Sequence, residues 1–214
     1  MRALSSLLLA ASLALTACHA RGPAAPPAHH PDPIATPIHR PDPIAKPAID
    51  RAALKAKLAA RRQANFERFI AYREARVYPL SPGPGRQHIW IDASGRLCAA
   101  ATMISADWGK DATVAAVEGN LAIRIADLER GALADWMLTS GMIQQELVAI
   151  QVPGFEMRPE PQRPEVAIMY PLYVEVERQI TSQWDANLDL AVDRLMAKPA
   201  LAKAFLAGAL PTPA

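Results

Sequence analysis

Few side chains in this 214-residue sequence are placed to do chemistry, and each has a rival reading. Cys98 with His88 offers a thiolate nucleophile and its base, and His88 is the one histidine outside the proline-rich start. Whether they meet depends on the loop between His88–Asp92 and Leu97–Ile104, which read as two strands of a hairpin. A loop of two or four residues pairs strand positions whose numbers sum to an odd value, so Cys98 faces Ile89 or Ile91 and His88 points to the other face. An odd loop sets His88 or Trp90 opposite Cys98 instead. Because Ala99, Ala100 and Ala101 follow, a small buried thiol packing like alanine is the preferred reading.

The other acid–base candidates are Asp92, Asp107, Asp111 and Glu118, which fall near the hairpin and would line a cleft there. No spacing singles out a pair among them. Asp185, Asp189 and Asp193 recur every fourth residue and form an acidic rail on a helix, either solvated, or holding a cation, or facing a basic partner helix. His19, His29, His30 and His39 with Asp32 and Asp42 invite a metal reading, but a proline-rich segment has no second layer of contacts to fix ligands. No Ser/His/Asp order, zinc spacing, phosphate loop or dinucleotide fingerprint is present. The expectation is therefore no catalytic set, no metal site and no cofactor.

Stepping along the chain, Asp50 caps a helix whose body, Arg51 to Arg76, is free of Gly and Pro. Leu54, Leu58, Phe66, Phe69, Ile70 and Tyr72 give it apolar surface, interrupted by Arg61, Arg62 and Asn65. From Arg51 to Arg76 eight Lys/Arg face two Glu, a net of +6, whereas from Val77 onward eleven Lys/Arg face sixteen Asp/Glu, a net of −5. The basic helix either packs on its own acidic domain, with the Asp185–Asp189–Asp193 rail as the specific contact, or meets anionic lipid or glycan through Arg61, Arg62 and Arg68.

The breaker run Pro79 to Gly85 opens the rest. After the hairpin come a short helix near Asp111 to Glu118, a third strand Leu121–Ile125, and helices at about Ala132–Thr139 and Met142–Gln151. Pro171 suits the first turn of a long helix to Ala197, with Leu172, Val176, Ile180, Trp184, Leu188, Val192 and Leu195 as one apolar stripe. Pro199 restarts a last helix, Ala200–Ala209. The fold class expected is mainly α (α+β): a helical domain with a small antiparallel β-hairpin or three-stranded sheet and a long C-terminal helix.

At the amino terminus, residues 3 to 17 carry no charge and follow Arg2, the pattern of a secretory signal too short to span a bilayer. The run ends in Leu15-Thr16-Ala17-Cys18, which resembles the lipobox of bacterial lipoproteins. The resemblance implies cleavage after Ala17, a diacylglycerol thioether on Cys18 and a mature chain of 197 residues. His19 stands where an inner-membrane retention Asp would stand, so the resemblance favours the outer membrane, facing the periplasm. The order Cys98-Ala-Ala, Trp, Thr-Ser-Gly, Glu-Leu-Val-Ala-Ile-Gln151 resembles a segment found in uncharacterised bacterial proteins and brings no activity with it.

Between His19 and Ile49 lie nine prolines and a repeat, Pro31-Asp-Pro-Ile-Ala-Thr-Pro37 and Pro41-Asp-Pro-Ile-Ala-Lys-Pro47. Such chain is semi-rigid and extends about 3.1 Å per residue, so thirty residues reach on the order of 90 Å. The domains expected are a signal peptide (1–17), a tether (18–49), a basic helix (50–78) and a globular part (79–214). An acylated Cys18 leaves Cys98 as the last thiol, which excludes an intramolecular disulfide. The sequence thus describes a membrane-anchored envelope lipoprotein, expected to be a non-enzymatic binding or interaction module. The alternatives are a lipid or glycan binder using the basic helix and a carboxylate enzyme acting on the cell wall. An envelope protein is the partner expected, and nucleic acid is not.

Overall fold

A computed structural model describes residues 48–80, 89–153 and 165–213, with side chains of the last stretch described from residue 168. All of them belong to one unit, Ala45–Ala214. The lipobox, the tether with its histidines, and His88 lie outside the described residues.

The spine is helix α1, Arg51–Ala75, which touches α2, α6, α7 and α8. Asp50 caps it as the sequence predicts: its Oδ1 accepts from the amides of Ala52 (2.9 Å) and Ala53 (3.0 Å), two of the donors that a helix start leaves unpaired. At the far end Arg76 takes a left-handed conformation (φ 52°) and closes the helix. The remaining helices are α2 (Ala99–Trp108), α3 (Lys110–Ala115), α4 (Ala132–Thr139), α5 (Gln144–Gln151), α6 (Glu165–Ser182), α7 (Trp184–Met196) and α8 (Pro199–Leu206).

The amino-terminal half of α1 buries Leu54 and Leu58 against Leu188, Val192, Leu195 and Phe205. The other half enters a larger core with Phe69, Trp90, Trp136, Met103, Leu147 and Tyr173. Full burial of one such side chain contributes roughly 1.5–3 kcal/mol, so both clusters hold α1 firmly.

The predicted β-hairpin and third strand are not formed; among the described residues there is no strand, only a single antiparallel bridge, Ile91 to Leu97. Two causes are visible. The Asp92 carboxylate gathers the amides of Ser94 (2.8 Å) and Arg96 (2.9 Å), tightening the turn at once. Ala99, Ala100 and Ala101 then follow their helix propensity, and Cys98 becomes the cap of α2 rather than a strand residue. In place of the third strand, Leu121–Arg124 turns into a 3₁₀ segment, Ile125–Asp127. The Gln151 side-chain amide bonds Ile125 N (2.8 Å) and Ile123 O (3.0 Å), doing there what a neighbouring strand would do.

The long C-terminal helix is also corrected: it is two helices that part at Gln183, and Pro171 lies inside α6, not in its first turn. The apolar stripe survives the break. Leu172, Val176, Ile180, Leu188, Val192 and Leu195 are all buried, while Trp184, at the join, packs edge-on against Phe66 of α1 with ring centres 5.2 Å apart.

Candidate functional site

The polar residues that interrupt the α1 stripe are the ones most deeply engaged. Arg62 is fully buried, and its guanidinium makes a two-point contact with Glu146 of α5, Nη1 to Oε2 at 2.8 Å and Nη2 to Oε1 at 2.6 Å. Nη1 also donates to Gly141 O (3.1 Å), and the guanidinium lies 4.4 Å over the Trp184 ring. Glu146 further accepts from Asn187 Nδ2 of α7 (2.9 Å) and from the Ile143 amide (3.0 Å). Asn65 donates to Ser140 O at 2.9 Å. One buried network therefore ties α1, α5 and α7 together. The sequence signal for it was present in the interruption of an apolar stripe by Arg and Asn, but not the partner.

Gly141 makes this network possible. It sits at φ +80°, and a Cβ built there would come within 2.3 Å of Leu58 O and 2.6 Å of Arg62 N. Only glycine lets the α4–α5 turn touch the backbone of α1.

A second centre is Asp107 of α2, whose carboxyl group is nearly enclosed. It accepts from Arg68 Nη1 (2.9 Å), from both Nη atoms of Arg61, and from Trp136 Nε1 (2.7 Å). Burial opposes its ionisation, but these donors, Arg61 first, hold its pKa below the ordinary value. At Asp92 burial is likewise the largest influence and opposes ionisation. The bonds from the Leu80 amide, from Arg96 and from the Ser94 amide outweigh it and bring the group down to about 2.

The three arginines marked for an anionic surface are thus placed inward. Arg62 is wholly enclosed, and Arg61 and Arg68 share Asp107, with 16% and 28% of their side chains exposed. Of the four carboxylates marked for a cleft, Asp92 and Asp107 are internal anchors, whereas Asp111 and Glu118 are exposed. The rail behaves as the sequence suggested for a basic partner: Lys55 Nζ meets Asp189 Oδ1 at 2.6 Å, and Arg51 Nη1 meets Asp193 Oδ1 at 2.5 Å. Cys98 is buried and free, packs among alanines, and burial pushes its thiol up to about 12. Among the described residues no three His, Cys, Asp or Glu side chains gather as metal ligands, and no helix is long and apolar enough to cross a membrane.

Among the concavities of the described residues, two adjoin the helices that carry these networks. A cavity of about 350 Å³ lies between α4, α5 and α7, with Met137, Leu138 and Met142 in its wall and Glu129, Arg194 and Lys198 among its polar lining. A shallower groove of about 490 Å³ runs between α1 and α2, floored by Ala71, Ala75, Thr102 and Ala106 and bordered by Val77. What the fold defines is an all-helical body, in its described part, with several of its charges enclosed as internal pairs and these two hollows mainly apolar. No family model matches the chain, and neither does any curated protein or solved structure.

Proposed function

We propose that this chain is a lipid-anchored envelope protein whose helical body is a non-enzymatic interaction module. The observation that carries the reading of the body is the fate of its buried carboxylates. Asp92, Asp107 and Glu146 are each met by several internal donors. A general acid or base needs a carboxyl group free to exchange a proton with a substrate, and these three are committed to holding helices and a turn in place. The larger concavities are lined mostly by apolar atoms, which suits binding.

The anchor rests on Leu15-Thr16-Ala17-Cys18 at the end of an uncharged run. One acyl chain holds a protein only reversibly, and two or three hold it durably. The Pro-rich segment behind Cys18 would stand the body off the membrane on the periplasmic side of the outer membrane. The inward placement of Arg61, Arg62 and Arg68 favours this reading over binding of anionic lipid by the basic helix.

The test uses the tagged full-length chain and its Cys18→Ala form. A palmitate analogue fed to cells is expected to label the first and not the second. Affinity purification from detergent-solubilised envelopes is expected to bring down a stoichiometric partner with the first alone. Label on both forms would overturn the anchor, and purification without a partner would overturn the interaction module.

A further inference from the structure

The α1–α2 groove has the shape, floor and charge of a seat for a third helix, and we infer that it binds an acidic amphipathic helix of an envelope protein partner. This rests on the interaction-module reading and specifies its surface. The floor consists of Ala71 and Ala75 on α1 with Thr102 and Ala106 on α2, and Gly95 and Leu97 close one end. Side chains this small let another helix approach two packed helices to the usual 8–10 Å between axes. Ala71, Ala75 and Ala106 are exposed, so no element among the described residues covers the floor.

The border includes an exposed apolar side chain beside its cations. Val77 is 53% exposed and lines the groove. Leu80 is 51% exposed, and its amide is bonded to Asp92, the carboxylate that also holds Arg96 of the groove wall. These are two of the most exposed large hydrophobic residues in the described body.

Charge decides the kind of helix. Arg61 and Arg68 share the single carboxylate of Asp107, which leaves one positive charge over. Arg96 is balanced by Asp92. Lys110 donates to the Gly95 carbonyl at 2.7 Å, a neutral acceptor, and adds a second unbalanced charge at the rim. Three cations, Arg68, Arg96 and Lys110, line the groove and no described carboxylate does, so carboxylates flanking an apolar helix face complete it, as in helix-in-groove recognition.

The experiment places a photo-crosslinking side chain at Ala75 or Ala106 of the full-length chain in cells, with Leu190, exposed on α7, as the control position. Crosslinked peptides are then sequenced by mass spectrometry. The expected result is one partner peptide, amphipathic and net acidic, linked from both groove positions and not from Leu190. With the crosslinker at Ala75, Lys110→Glu is expected to lower its yield about tenfold, as reversal of a rim charge slows association. Thr102→Trp, which fills the groove, is expected to abolish it while circular dichroism and thermal melting show the body still folded. Labelling of lipid, of a basic peptide, or of the same proteins as Leu190 would overturn the assignment. Crosslinks from Leu190 alone would remove the groove and leave the interaction module standing; no protein crosslink from any position would remove both.

Discussion

Arg62 and Glu146 face each other through two parallel hydrogen bonds in a buried setting, with side chains 0% and 6% exposed. Removing one member leaves the other charge buried without its partner, which costs about 3–5 kcal/mol. Glu146→Ala and Arg62→Ala are each expected to lose that much in urea unfolding. The combined Arg62→Met and Glu146→Leu replacement is expected to lose clearly less than the sum of the two, since no unpaired charge remains. A strictly additive double variant would show that the two side chains act independently.

Gly141 is predicted to be the least replaceable glycine of the described body. Alanine there meets a left-handed backbone cost of about 1–2 kcal/mol and, in addition, a collision with the carbonyl of Leu58 and the amide of Arg62. Gly119, at φ +84° with nothing within 4 Å, supplies the control that carries the backbone cost alone. Gly141→Ala is expected to destabilise by about 3 kcal/mol or more and Gly119→Ala by about 1–2 kcal/mol. Equal losses would show that α1 moves aside freely.

Helix starts and stripes were legible because they are local: Asp50, Pro199 and the run from Leu172 to Leu195 state their roles within a few residues. Alternation over His88–Asp92 and apolar content after Leu97 are shared by a strand and by a capped helix, so they do not separate a hairpin from the bridge and helix that form. The choice was made by the Asp92 side chain collecting its own loop. The α1–α7 contact could be read from opposite charges at matching spacing. Arg62–Glu146 and the α1–α2 groove could not, because residues 84 apart, or helices that meet only through folding, leave no pattern in the chain.

The rail contacts should be weak. Arg51, Lys55, Asp189 and Asp193 are each between 43% and 59% exposed, and exposed pairs contribute about 0.2–1 kcal/mol. Lys55→Asp is expected to cost little more than that, and Asp189→Lys added to it is expected to recover most of the loss. Both effects should shrink at about 1 M salt, where the screening length is about 3 Å. A loss that is large and insensitive to salt would mean that Lys55 acts through packing.

Acid should unfold the protein through identifiable groups. The folded pKa of Asp92 lies at about 2, below its ordinary 3.8, and that of Asp107 is lowered too. A depressed carboxylate stabilises the fold above its unfolded value, and that stabilisation is lost as pH falls through the folded value. For Asp92 the window runs from about pH 4 to about pH 2. Urea midpoints measured from pH 6 downward are expected to drop in that range, and Asp92→Asn, already weaker at pH 6, is expected to show a shallower drop. An unchanged slope would place the acid sensitivity elsewhere.

Cys98 should be chemically silent until the body opens. Its thiol is buried, its Sγ accepts from the Ala101 amide at 3.4 Å, and burial raises its pKa to about 12. The thiolate is the reactive form, and a rise of about three units lowers its population at pH 8 about a thousandfold, before any loss of access. A disulfide reagent such as DTNB is therefore expected to modify the native chain, in its Cys18→Ala form, at least about a hundredfold more slowly than in urea. The native rate should follow the opening of the α1–α2 core and rise in Gly141→Ala. Fast labelling of the native protein would return Cys98 to the list of reactive groups and reopen a chemical role for it.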